Sequence, residues 1–355
     1  MGLMDDKYTY SKLVGDYGQF RAPAIKLKVD GSPLSGAVAV ERVSATLSLD
    51  SASAVTFQVT GAYDVKSGGF QSSVKSKLKL GAKVSLSLGY GSATTEIFQG
   101  FISGVGAQFR DAPELSVTAM DVRRFMMEGT SREEMHVVST YSAAFEEVMK
   151  RYSALCPSLE VDATDSDEIT QIFQRASDYE FVVNNLAKKT NREFFVLADK
   201  AYFRKRAKVT APLMTLRWGE GMLSFSRNSL YQNVKIVVLG FDPDKQEAVK
   251  AEVAEKASDA QKNAGSQNET VIADPDAKEE AKAKKRAEKE AAERKRKAQN
   301  GSVDCVGLPE IVPGRFITLT GLDSDLDNDY YIREVRHEFG SDGFTTSFEI
   351  GGWDA

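Results

Sequence analysis

The chain has 355 residues, 42% of them apolar and 27% charged, with 46 Lys and Arg against 51 Asp and Glu. This composition excludes wholesale disorder, the length suits two or three domains, and a net charge of −5 lacks the basic footprint of a nucleic-acid binder. Two cysteines, Cys156 and Cys305, and two histidines, His136 and His337, make neither a disulfide framework nor a zinc site.

The start, MGLMDDKYTYSKLVG, has acids where a signal peptide needs a basic segment. Asp6 stands where a myristoylation signal has Ser or Thr. No apolar stretch approaches the ~20 residues of a membrane span. The expectation is a soluble protein made in the cytoplasm, without stable membrane insertion.

From Ala24 to Ala119 the chain alternates apolar and polar residues in short runs: IKLKV, ATLSLD, VTFQVTG, KVSLSLGYG and LSVTAMD. Period-two runs broken by Gly, Ser, Asp and Pro are strands, and so many at this spacing predict a small barrel or sandwich over 1–120. Residues 121–209 change character. Ala144, Phe145, Val148, Met149, Tyr152 and Leu155 share one face of a helix over Tyr141–Leu155, capped by Ser139 or Thr140. Ser177-Asp-Tyr-Glu180 is a capping box for a second helix, and EFFVLADKAYFRKR reads as two strands about an Asp199-Lys200 turn. This predicts an α+β domain.

After Pro212 the strands resume with LMTLRW, MLSFSR and NVKIVVLGF, and again after residue 300 with FITLTGL, YYIREVRHEF and FTTSFEIG. These predict a second β domain, 210–244 and 301–355, interrupted by 245–300. The interruption has no Phe, Trp, Tyr, Leu or Met, so it is expected to be a solvent-exposed, charged insertion. Lys278–Gln299 within it is rich in strong helix formers with Glu280/Lys284, Glu290/Arg294 and Glu293/Lys297 four apart, and Ser258–Asp276 is expected to be a flexible lead-in.

An internal repeat joins the two β domains. Gly81, Val84 and Leu86 answer Gly314, Ile317 and Leu319, while Phe101, Ile102, Val105 and Phe109 answer Tyr331, Ile332, Val335 and Phe339. The fold class is therefore mainly β with an α+β domain: two related tube-like barrels or sandwiches, the second carrying a charged helical insertion.

Catalytic signatures are missing. Nucleophile-elbow, zinc-protease, phosphate-loop and dinucleotide motifs do not occur. Ser72-Ser-Val-Lys75 has no partner motif, and no carboxylate pair stands out among 51 acids. His337 reads as a packing residue in a strand. No catalytic residue, cofactor or enzymatic role is assigned. Asp323, Asp325, Asp327, Asp329 and Glu334 occupy positions 1, 3, 5, 7 and 12 of a calcium loop, but strands flank them, so an acidic hairpin loop is the plainer reading.

The segment ITQIFQRASDYEFVVNNLAKKTNREFFVLADKAYFRKR resembles the signature region of the phage late control D family, the contractile-tail baseplate hubs related to the hub portion of VgrG. Gln174, Ser177, Asp178, Phe181, Leu186 and Ala187 match its pattern, and Pro313-Gly314, Tyr330 or Tyr331, His337 and Thr345-Thr346 match its C-terminal run. The resemblance implies a structural homotrimer with pseudo-sixfold symmetry. It would sit between a tail tube protein above and a trimeric spike protein below. The charged insertion 245–300 is no part of the family pattern, and other baseplate proteins are its expected partners. The resemblance also implies assembly in the bacterial cytoplasm into a phage tail or injection particle. Against the VgrG pattern, no needle domain is expected downstream of Trp353-Asp-Ala. The competing readings are the hub of a long noncontractile tail and a cell-envelope enzyme that binds or cleaves peptidoglycan.

Overall fold

A computed structural model describes residues 2–34, 38–129, 132–164, 171–229, 235–254, 269–275 and 277–351. The chain divides into two units, 1–225 with 303–349 and 226–302 with 350–355.

Twelve strands carry the repeat. The first six are β1 (Pro23–Val29), β2 (Ala39–Ser48), β3 (Ala54–Thr60), β4 (Lys83–Tyr90), β5 (Ala93–Gln108) and β6 (Glu114–Met120). The second six are β7 (Thr215–Trp218), β8 (Gly221–Ser229), β9 (Gln299–Val306), β10 (Phe316–Thr320), β11 (Asn328–Gly340) and β12 (Gly343–Gly351). Alternation explains them: in β3, Val55, Phe57 and Val59 are buried and their neighbours are not, as a strand with one face on a core requires.

The strand orders match. The first set pairs as β1-β4-β5-β6-β3-β2 and the second as β7-β10-β11-β12-β9-β8, the same order displaced by six. Two differences separate the halves. In the second, β7 also pairs with β8 and closes the barrel, and β7 runs parallel to β10 where β1 runs antiparallel to β4. The repeat extends to single hydrogen bonds. The Gly81 N–H donates to the Ile102 carbonyl (2.8 Å) and the Ile102 N–H to that of Ala82 (2.9 Å). Gly314 donates to Ile332 (2.9 Å) and Ile332 to Arg315 (2.9 Å) in the same pattern. Both glycines have φ near +85° (+84° and +85°), a conformation that favours glycine.

The α+β domain follows β6. Its helix Tyr141–Lys150 is capped by Thr140, whose hydroxyl accepts from the Ala143 N–H at 3.1 Å, and it buries Ala144, Phe145, Val148 and Met149. Ser177 caps the next helix by accepting from Glu180 N–H; that helix passes through a π-helical stretch, Phe181–Ala187. The hairpin Arg192–Leu197 with Lys200–Lys205 turns at Ala198-Asp199, one residue earlier than expected, with Ala198 in the left-handed region.

The second unit corrects the expectation of a solvated insertion. Lys235–Asp242, expected as a barrel strand, is instead the centre of a three-stranded sheet, antiparallel to Glu247–Ala254 and parallel to Glu269–Ala273. The helix Glu280–Ala298 packs on that sheet. Ala251, Ala277, Ala283 and Ala287 are buried with Ile236 and Val238, against Val249, Val253, Ile272 and Ala291. A core without large side chains works because alanines four apart let the helix lie close to β-branched residues. The segment leading into the helix also lies close: a Cβ at Gly240 would meet the Ala277 carbonyl oxygen at 1.9 Å. Of the expected lead-in, 258–268 and 276 lie outside the described residues, and 269–273 is a strand. The helical expectation holds over Glu280–Ala298, and Arg294 lies 3.4 Å from Glu290.

Placing a carboxylate in this alanine seam, by Ala287→Asp, should destabilise the unit by about 3 kcal/mol. Hydrogen exchange should show lost protection over 235–254, with that of β3 and β6 retained.

Candidate functional site at the barrel edges

Three motif residues of the α+β domain, Gln174, Asp178 and Phe181, meet in one buried network. The Gln174 amide nitrogen donates to Asp178 Oδ1 (2.6 Å) and the Ala176 carbonyl (3.1 Å), which turns its oxygen toward His136 Nε2 at 2.9 Å. His136 Nδ1 faces Glu147 at 2.9 Å, and its ring stacks on Phe181. Asp178 also accepts from Arg151 (2.9 Å) and the Tyr152 hydroxyl (2.6 Å), and pairs with Arg132 at 3.3 Å. Burial opposes ionisation of Asp178. The Tyr152 and Gln174 hydrogen bonds and the Arg151 and Arg132 charges outweigh it and hold the carboxyl below its usual range. Gln174, Asp178 and Phe181 thus meet in this network, while Ser177 caps the helix that carries Asp178.

Gly314 and Tyr331 belong to a second network that ties the α+β hairpin to the second barrel. Tyr331 donates to Glu193 Oε2 (2.6 Å), Glu193 pairs with Arg204 (2.9 Å), and Arg204 donates to the Gly314 carbonyl. A side chain at Gly314 would strike Arg204 and Phe195. Pro313 is buried beside it. Arg315 then grips the N-terminal segment through the Leu3 and Asp6 carbonyls, both at 2.9 Å. His337 is buried, meets the Thr346 hydroxyl at 2.9 Å, and is pushed by burial down to about 3, so it stays neutral as a packing residue.

The structure does not gather the calcium-loop candidates. Asp327 accepts from the N–H groups of Gly321 (3.1 Å) and Leu322 (2.9 Å), Asp323 from that of Asp325 (3.3 Å), and Asp329 from the Thr318 hydroxyl (2.6 Å). Glu334 lies away in β11 opposite Ser48. Among the described residues no group of His, Cys, Asp and Glu is placed to hold a metal ion.

Sequence reasoning missed the junction between the barrels. Val43–Ser48 of β2 pairs antiparallel with Glu334–Phe339 of β11. Beneath it Arg123, fully buried, pairs with Asp121 at 2.7 Å and donates to the Ser48 carbonyl and Ser53 hydroxyl, both at 3.0 Å. The sequence signal was an Asp-Val-Arg at the end of a strand, which composition alone does not distinguish from a surface pair.

The junction leaves matching edges without partners. The stretch equivalent to Glu334–Phe339 is Gly104–Phe109, of which Gly104–Gln108 lies in β5. β4 reaches β5 no further than Phe101, and β6 occupies the other side. Among the described residues that edge has no strand on it. Val105 there is 40% exposed, whereas its counterpart Val335 is fully buried at the junction. β8, the counterpart of β2, meets β7 only at Gly221 and Met222, and the next residue, Leu223, is 56% exposed. Unpaired strand edges bearing apolar side chains are sites of association.

A family model described as the Alg8 N-terminal domain matches residues 21–341. No curated protein matches the chain in sequence. Several solved structures share the fold. A tail protein of Neisseria meningitidis MC58 is 12% identical, with a TM-score of 0.73 over 93% of this chain and 96% of that one. The 43 kDa tail protein of prophage MuSo2 from Shewanella oneidensis is 16% identical, with a TM-score of 0.72 over 93% and 98%. The Escherichia coli c3393 protein is described as a type VI secretion component structurally similar to T4 phage tail proteins gp27 and gp5. It is 12% identical, with a TM-score of 0.59 over 93% and 77%. The fold is thus the tail-protein fold that the resemblance implied.

Two substitutions test the networks. Asp178→Asn should cost about 1–3 kcal/mol at pH 7 by leaving buried donors unpaired. Because the folded carboxyl lies below its unfolded value, that stabilisation is present above the unfolded value and lost as pH falls through the folded one. Urea titrations should show the two proteins converging in acid. Glu310 is the opposite case. It is buried, accepts from Tyr17, keeps Oε2 unpartnered, and burial raises its carboxyl, so its contribution is lost as pH rises through the folded value. Glu310→Gln should raise the melting temperature at pH 8 and change it little at pH 4.

Proposed function

We propose, for a chain that belongs to the Alg8 N-terminal domain family, a structural role as the trimeric hub of a contractile phage tail or related injection particle. Such a hub adapts a sixfold tube above it to a threefold spike below it. The observation that carries this reading is the duplication together with its unused edges. Within the chain, β2 of one barrel joins β11 of the other. The same step taken between chains would join β8 of one copy to β5 of the next, whose corresponding edges are open. A heterologous step of this kind closes into a ring when its rotation allows. Three chains of two barrels then present six similar units.

The role needs no catalytic chemistry, and the buried networks supply what it does need, which is rigid attachment of the α+β domain and N-terminal segment to the barrels. The hub would be assembled in the bacterial cytoplasm into the tail or particle. The tail-protein and type VI secretion neighbours support the setting, and no helix among the described residues is long and apolar enough to cross a membrane.

Sedimentation of the parent protein should give three times the 38.9 kDa chain mass. Val105→Lys and Leu223→Lys should each shift it toward monomer, since a charge held at a buried interface without a partner costs several kcal/mol. A parent that is monomeric at micromolar concentration contradicts the reading.

A further inference from the structure

We propose that the cleft at the turn end of the second barrel is a docking site for a protein segment carrying a large apolar side chain flanked by lysine or arginine. The proposal rests on the hub reading only in assigning that segment to a neighbouring tail protein.

The cleft measures about 320 Å³ and is lined by Trp218, Phe225, Gly321, Leu322, Asp323 and Leu326. Trp218 is 50% exposed, unusual for a side chain that proteins mostly bury. Phe225 forms part of the lining and is anchored edge-on against Tyr330, with ring centroids 6.0 Å apart. The wall is preformed. Asp327 ties down the N–H groups of Gly321 and Leu322, the Leu326 and Asp327 N–H groups donate to the Asp323 carbonyl (both 2.8 Å), and Tyr330 donates to the Leu326 carbonyl (2.6 Å). Gly321, at φ +78°, passes so close to Arg217 that a Cβ would lie 3.1 Å from its Cγ. A ligand entering a cleft fixed in this way meets little ordering cost.

Charge decides the occupant. The acids that mimic a calcium loop do not converge on an ion: Asp323 lines the cleft, Asp325, Asp327 and Asp329 stand exposed in the same loop, and Glu220 and the cation Arg217 are exposed on the neighbouring strand end and turn, so acids outnumber the arginine around the cleft. An apolar cleft under an acidic rim repels phosphates and acidic peptides. It selects a cationic segment, with the rim steering it and the aromatic floor holding it. The cleft lies at the turn end of β10 and β11. The open stretch of β5 answers the other end of β11, so a segment docked in the cleft leaves that edge free.

The test uses two synthetic nonapeptides, one alternating lysine and leucine and one alternating glutamate and leucine, titrated calorimetrically into the full chain. The lysine peptide should bind at least tenfold more tightly than the glutamate peptide. Its affinity should fall at least tenfold in Trp218→Ala and about threefold or more in the Asp323→Asn/Asp325→Asn double variant, with unchanged sedimentation in both. Equal binding of the two peptides, or lysine-peptide binding indifferent to Trp218→Ala, overturns the proposal. Loss of the trimer in Trp218→Ala also overturns it, by making the cleft a subunit contact, while leaving the hub reading intact. A monomeric parent sinks the hub reading instead, and the peptide comparison still decides the cleft.

Discussion

The pairing of β2 with β11 is the constraint on which the rest depends. Strand pairing has a period of two, so a one-residue slip would turn every side chain to the wrong face. Leu47 and Val335 stand opposite each other in this register and both are buried. The Leu49 N–H extends the ladder to the Arg333 carbonyl at 3.1 Å, and Arg333 pairs with Asp50 at 2.6 Å. The buried Arg123–Asp121 pair fixes the Ser48 carbonyl from below. One register therefore sets how the two barrels follow each other.

Buried charge is used in this chain for position rather than chemistry. Arg123, Arg204 and Arg315 are all fully buried, and each reaches a backbone carbonyl on a separate element: Ser48, Gly314, and Leu3 with Asp6. A guanidinium presents several donors in a fixed fork, which suits one side chain to joining two or three segments. Replacing such a group with an apolar residue can be neutral for stability. What these arginines supply is a defined attachment between segments of the chain.

The sequence made the strands readable because each barrel strand buries one face, and period-two alternation is the direct record of that burial. The glycine correspondence between 81 and 314 was also legible, and the shared positive φ shows why those positions match. Lys235–Asp242 misled because Ile236 and Val238 alternate like any barrel strand; periodicity cannot tell which sheet a strand joins. The alanine core of the second unit was invisible to a search for large side chains, since its packing depends on how closely the helix and sheet approach. The Arg123 junction and the open edges of β5 and β8 were not legible either. They depend on which strands are neighbours, and that is fixed only by the fold.

The central claim is that the duplicated barrels are spaced to close into a ring of three chains and six units. Electron microscopy of the isolated protein, averaged end-on, tests it most directly. The expected image is a ring of six barrel-sized lobes with threefold symmetry. A monomer, a twofold dimer or a ring of six chains would contradict it.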